Sequence, residues 1–326
     1  MALLLQNFCM VSSFFAFFLL SSCLSDDQMH ELALASPVED ILKYPEVKKY
    51  LEQDKHKVFI SLTTSPKRSK TLKLVLDTLD TTHIKKIFLV LPERYRNEDK
   101  DSYDVPDDVK NFNKLEILRI PDDLGPLSKL VPAVEWIQKE YPDPENIIIT
   151  IDDDIAYPRG QINGLLKNVI LKDAVVSGSG FYTSYFNVRH EDWEESELLS
   201  PYCYLGAGVC DVVEGYAGIA YKIKHIASMK HNKLKGTGVL KYLSKLGYPD
   251  TKSCFLSDDL VISFALARAK VTRWVISDEF MFRPWPYNIG MGEDALHLGS
   301  GAEKSRPSNW TKYESCFGSF LSKEIF

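Results

Sequence analysis

The apolar residues of this chain fall into short dense runs, separated by polar turns and by segments of helical period. The densest run is Ile147 to Ile151, which stops at Asp152, Asp153 and Asp154. A β-branched run without polar alternation predicts a strand covered on both faces, as in a parallel sheet. Residues 57–63, 86–91 and 115–120 predict three earlier strands. Helices are predicted over about 69–79 and from the turn at 122–129 to about 141. A charged, loop-like stretch spans 92–113. The order to Asp154 is therefore β-α-β-β-α-β, which predicts a mostly parallel α/β sheet with helices on both faces. Beyond it, the pattern predicts helices at about 161–170 and 260–270. Strands are expected at 175–180, 209–213, 215–221 and 271–276. The stretch after 276 has little regular pattern and reads as an ordered tail or lid.

The first 24 residues carry no charge and are dominated by Leu and Phe. Such a segment is a signal peptide, a lipoprotein-type signal or a single membrane anchor, and it ties the protein to a membrane or to export. Residues 25–55 are polar with a helical pattern from 38 to 51, and read as a stalk plus an introductory helix. A single large domain spans 56–326, with a nucleotide-binding half at 56–155 and an acceptor half with the C-terminal tail at 156–326. The whole chain has 326 residues, ample for a large core, and a net charge of −6, which argues against nucleic acid as a partner. No CxxC pair supports a cysteine zinc site. Cys203, Cys210, Cys254 and Cys316 suffice for two disulfides and would serve equally as buried thiols.

The aspartate triplet carries the chemistry. Three carboxylates cannot stay unpaired inside a sheet, so they emerge at the strand's carboxyl end, where open α/β sheets bind ligands. Their mutual repulsion favours a cation among them, and oxygen ligands suit Mg²⁺ or Mn²⁺. Strict alternation would put Asp152 and Asp154 on one side and Asp153 on the other; the plainer alternative is a solvated acidic turn. Arg68 follows the first strand and is placed to meet phosphate or base. Lys129, read as lying in the first turn of its helix, is placed to help cradle phosphate. The loop Glu214, Gly215, Tyr216 offers a close backbone approach for a sugar, or is a plain hairpin turn. Ser257 or Asp258 would cap the helix that follows, yet one cap does not require two carboxylates, and Asp258 and Asp259 are candidates for a general base. His297 is a candidate metal ligand.

Taken together, these residues resemble glycosyltransferases of the GT-A fold, over roughly Val58 to Lys304. The resemblance rests on four features in order. They are the first strand with its turn from Thr63 and Thr64 to Arg68, the Gly125–Lys129 turn, the strand ending in Asp152–Asp154, and Ser257–Asp259 opening a helix. It implies a DxD motif in which Asp152 and Asp154, with Asp153 adjoining, bind a divalent metal and a nucleotide-sugar diphosphate. Thr63, Thr64, Arg68 and Lys129 would join the donor site, with a UDP-sugar favoured. It also implies an acceptor-side role for Asp258 and Asp259, and a late His297 on the metal followed by Gly301 and Lys304 on phosphate. The expected activity is sugar transfer to a hydroxyl of a glycan, lipid or protein. Two other classes remain: a metal-dependent phosphohydrolase, disfavoured by seven histidines without an HxH or HD pair, and an anchored carbohydrate-binding protein using Trp193, Tyr202, Tyr204 and Trp285.

Overall fold

The computed structural model describes residues 25–95, 103–182, 203, 207–228, 254, 257–276, 287–289 and 316. An eight-stranded sheet runs through its centre. The strands are β1 (Val58–Thr63), β2 (Lys86–Pro92), β3 (Leu115–Ile120), β4 (Ile147–Thr150), β6 (Val175–Ser177), β8 (Gly208–Val209), β10 (Ile219–Lys222) and β11 (Arg273–Val275). Short β5 (Ile155–Ala156), β7 (Gly180–Phe181), β9 (Val212–Val213) and β12 (Tyr287–Asn288) form two small ladders, β12–β5 and β7–β9. The order across the main sheet is β3-β2-β1-β4-β10-β6-β11-β8. Only β10 and β8 run against the others. The expected mostly parallel α/β sheet, Rossmann-like and in a single domain, is what the chain forms.

Both faces of the sheet are covered, as the continuous apolar runs require. Phe59, Phe88 and Ile148 pack with helices Val131–Glu140 and Asp258–Arg268 on one side. Ile60, Leu62, Ile87, Leu89 and Ile149 pack with helices Pro45–Leu51, Leu72–Thr78 and Gly160–Lys172 on the other. Each large aliphatic side chain buried this way contributes about 1.5–3 kcal/mol. The four disulfide-bonded cysteines belong to the first core: Cys203 pairs with Cys210, and Cys254 with Cys316.

Several elements differ from the sequence expectation. Residues 25–55 form no free stalk. Helix Asp26–Leu34 buries Met29 and Ala33, and Ile41, Val47 and Tyr50 enter the second core. A buried ion pair between Glu39 and Lys167 fastens this segment to helix Gly160–Lys172. The helix expected from the 122–129 turn to about 141 is divided. A 3₁₀ turn covers Gly125–Lys129, and the α-helix starts anew at Val131. Pro132 has no amide hydrogen for the carbonyl of Ser128 and its ring crowds that carbonyl, so it is accommodated only in a first turn. Lys129 therefore precedes the α-helix and does not lie in its first turn. The 215–221 stretch is a 3₁₀ turn, Gly215–Ala217, feeding β10, with Gly218 at φ +76 between them.

Candidate active site at the sheet switch point

From β1 the chain moves outward through β2 to β3, then returns to place β4 on the other side of β1. That reversal opens a crevice at the carboxyl ends of β1 and β4, the position where such sheets bind ligands. Arg68 follows β1, and the three aspartates follow β4. The Arg68 guanidinium Nη1 lies 2.6 Å from Asp154 Oδ2 and 3.1 Å from Asp153 Oδ1. Thr64 is buried beside Asp153 and its hydrogen bond favours the charged carboxylate. The Thr63 hydroxyl donates to the Val90 carbonyl at 2.8 Å and closes the end of the sheet.

Asp152 faces the other cation. Lys129 is buried, and its Nζ lies 2.6 Å from Asp152 Oδ1 and 3.0 Å from Asp258 Oδ2. One lysine thus bridges the aspartates after β4 and the acids that open helix Asp258–Arg268. The strict alternation expected for Asp152–Asp154 fails because β4 ends at Thr150 and the chain turns. The Asp152 amide donates to the Tyr157 hydroxyl at 2.9 Å, which itself donates to the Tyr216 carbonyl at 3.0 Å.

Ser257 occupies the cap position of its helix without a side-chain cap hydrogen bond. Asp258 points to Lys129, and Asp259 Oδ1 accepts from the Gly215 amide at 2.8 Å. The pair is better described as charges in the first helical turn, which the helix dipole favours. Gly215 is needed for proximity: a Cβ there would lie 3.0 Å from both Asp259 Oδ1 and Lys129 Nζ.

Six carboxyl groups (Asp152, Asp153, Asp154, Glu214, Asp258 and Asp259) thus surround two cations, Arg68 and Lys129. Burial and then the neighbouring Asp153 push Asp154 up to about 7, with Arg68 pulling it back. Burial also raises Asp153, Asp258 and Asp259, and lifts Glu214 to about 7. Burial alone would depress Lys129, but Asp152, Asp258 and Asp259 outweigh it and hold the ammonium charged. This excess of carboxyls, of which Asp153 and Asp258 are buried and the rest partly so, fits a hard divalent cation. Asp153 Oδ2 is buried without a hydrogen-bond partner. However, no group of three His, Cys, Asp or Glu converges to hold a metal among the described residues. Asp152 and Asp154 are turned to different cations.

The site therefore gathers Thr63, Thr64, Arg68, Lys129, Asp152–Asp154, Asp258, Asp259, Glu214, Gly215 and Tyr216. His297, Gly301 and Lys304, and the aromatics Trp193, Tyr202, Tyr204 and Trp285, lie outside the described residues, as do residues 1–24. Sequence reading missed Tyr157 and Ser179. Tyr157 stands three residues after the triplet, and Ser179 sits inside the Ser-Gly-Ser-Gly turn, whose glycines alone drew notice. No protein-family model matches this chain, and no curated protein matches it. Among the described residues, no helix is long and apolar enough to cross a membrane.

Proposed function

We propose that this protein is a glycosyltransferase of the GT-A type, moving a sugar from a nucleoside-diphosphate sugar to a hydroxyl of a glycan, lipid or protein. The supporting observation is the meeting, at the switch-point crevice, of an acidic triplet, a buried lysine, a partly buried arginine and a second acidic pair. In this reading Arg68 and Lys129 face the donor diphosphate, with Thr64 lining the β1 end. Asp152 and Asp154 would be the residues to hold Mn²⁺ or Mg²⁺ once released from Lys129 and Arg68. When bound, that cation supplies Lewis-acid stabilisation of the departing diphosphate. The protein's own part is electrostatic: it fixes positive charge where negative charge develops, in a site largely closed to water. Asp258, Asp259 and Glu214 form the acidic wall from which a base for the acceptor hydroxyl is drawn, and Gly215 and Tyr216 border the acceptor.

The two disulfides favour an oxidising compartment. That agrees with a membrane-associated or exported protein working in a secretory lumen, where nucleotide sugars are available. The experiment is a thermal-shift titration of the full chain with UDP, GDP and CMP, each with and without Mn²⁺. Binding to the native state at a hundred times Kd adds about 2.7 kcal/mol. Stabilisation by one nucleotide only in the presence of metal is the expected result. A cooperative melt that no pair moves would sink the proposal.

A further inference from the structure

The acidic wall contains an ordered chain of oxygens that the donor side does not use. Ser179, buried in the turn between β6 and β7, donates its hydroxyl to Glu214 Oε2 at 2.7 Å. The same Oγ lies 2.7 Å from the Tyr216 phenol oxygen. Serine has one hydroxyl proton, and Glu214 receives it, so Tyr216 must be the donor to Ser179. The hydrogen bonds therefore point one way, from Tyr216 through Ser179 to Glu214. The frame around them is tied down. Ser177 Oγ donates to the Glu214 carbonyl at 2.9 Å, and the Glu214 amide donates to the Ser179 carbonyl at 3.0 Å. The backbone that carries Tyr216 adjoins the aspartate site. Tyr216 is half-buried, and its carbonyl accepts from Tyr157, whose hydroxyl also takes the Asp152 amide.

We propose that Glu214 is the proton sink of the transfer reaction, reached through Ser179 and Tyr216, with Tyr216 as the group that contacts the acceptor hydroxyl. The inference rests on the glycosyltransferase reading above and names its base. Asp258 and Asp259 are already engaged, by Lys129 and by the Gly215 amide. In a single displacement the acceptor oxygen bonds to the anomeric carbon while the bond from that carbon to the diphosphate oxygen breaks. The diphosphate leaves with the electron pair. The acceptor's proton passes to the Tyr216 oxygen, the phenol proton to Ser179, and the serine proton to the Glu214 carboxylate. No net charge is left on the two hydroxyls. Afterwards the same three oxygens are bonded in the reverse direction, so no heavy atom has to move. Burial, opposed only by the Ser179 bond, lifts Glu214 to about 7, which suits a group taking a proton near neutrality.

The test compares the full-length protein with Glu214→Gln and Tyr216→Phe. Sugars carried on UDP, GDP or CMP are supplied with Mn²⁺, and methyl glycosides serve as acceptor probes. Released nucleotide is counted against pH, whether a glycoside or water takes the sugar, and nucleotide–Mn²⁺ binding is followed separately by thermal shift. Each variant is expected to lose about 10²–10⁴-fold in kcat and to bind the nucleotide as the parent does. With Mn²⁺ saturating, so that the Asp154 carboxyl, itself raised to about 7, is held ionised, the parent's rate should fall on the acid side of about pH 7, and Glu214→Gln should abolish that limb. Gln keeps an acceptor for Ser179, and Phe removes one oxygen from a half-buried ring, so a folding failure of one leaves the other to decide. If the parent binds and turns over while either folded variant keeps a third of its kcat, or the acid limb survives in Glu214→Gln, the relay is wrong and the transferase reading stands. A parent that neither binds nor releases any of the nucleotides overturns both.

Discussion

Replacing Lys129 with Met keeps the length and the apolar stem of the side chain and removes its charge. Lys129 is 3% exposed and lies within 3.0 Å of both Asp152 and Asp258. Removing one partner from a buried ion pair costs about 3–5 kcal/mol, because the other charge stays buried without compensation. Asp152 is 28% exposed at its side chain, so water relieves part of the penalty, and about 3 kcal/mol is the working figure. At about 2–4 °C per kcal/mol for a large domain, the melting temperature should fall by about 6–12 °C at pH 7. The assay is calorimetry or circular dichroism at pH 7 and pH 5. Burial already raises the Asp258 carboxyl, and losing Lys129 removes the group that pulls it down. In the variant the native state then binds a proton that the unfolded chain gives up, so acidification adds stability relative to the parent. The gap should therefore narrow at pH 5. A loss under about 2 °C at pH 7, or a gap that widens at pH 5, would refute the assignment of Lys129 as the neutralising charge of both acid groups.

Other consequences can be measured independently. Asp154→Ala should abolish sugar transfer while leaving the far-ultraviolet spectrum and cooperative melt in place, since Arg68 keeps Asp153 as a partner; retained transfer would exclude the proposed metal role. Tyr157→Phe removes the hydroxyl that takes the Asp152 amide and caps the Tyr216 carbonyl. It should cost about 1–3 kcal/mol in denaturant unfolding, and a change under 0.3 kcal/mol (about the scatter of a surface substitution) would count against that bridge. Burial would raise Glu39, but hydrogen bonds from Lys167, Lys43 and Tyr44 outweigh it and bring it down to about 2. Its contribution is present above its unfolded value near 4.5 and is lost as pH falls toward about 2. Acid titration of Glu39→Gln should show a shallower loss over that window. His225 is brought down to about 4 by burial, so the unfolded chain gains a proton first, and stability should decline between about 6.5 and about 4. His225→Gln should flatten that interval, as followed by urea midpoints.

The parts of the fold legible in the sequence were those set by local pattern. β1, β2 and β4 follow their apolar runs because a strand covered on both faces has few polar positions to blur its limits, while the edge strand β3 was marked by its interspersed aliphatic residues. Pairing partners were not legible. Nothing in Ile219–Lys222 announces that it inserts antiparallel between β4 and β6, since that choice is made by long-range packing. In the candidate site, the types of residue pointed to the crevice at the carboxyl ends of β1 and β4, but their partners did not follow from spacing. Two-residue alternation for Asp152 and Asp154 presumed a strand that had already ended at Thr150. Lys129 reached Asp258 across more than a hundred residues of chain, through a helix break visible in Pro132 but easily read as ordinary helix tolerance. Ser179 was hidden because a serine between glycines reads as turn chemistry until its neighbours in space are known.

The bond between Cys254 and Cys316 ties the far end of the chain to the acid cluster. The Ser257 amide donates to the Cys254 carbonyl at 3.0 Å, one residue before Asp258. The start of the acidic helix is therefore fastened, through a single covalent link, to a residue ten positions from the C-terminus. Closing a loop of 62 residues restricts the unfolded chain by about 4 kcal/mol in the chain-entropy account. A preparation made in a reducing cytosol, or a clone trimmed before Cys316, would thus lose both stability and the seat of Asp258. A negative result from such protein would be an artefact of handling, so protein for any test of the proposed transfer should be produced with oxidative folding and an intact tail.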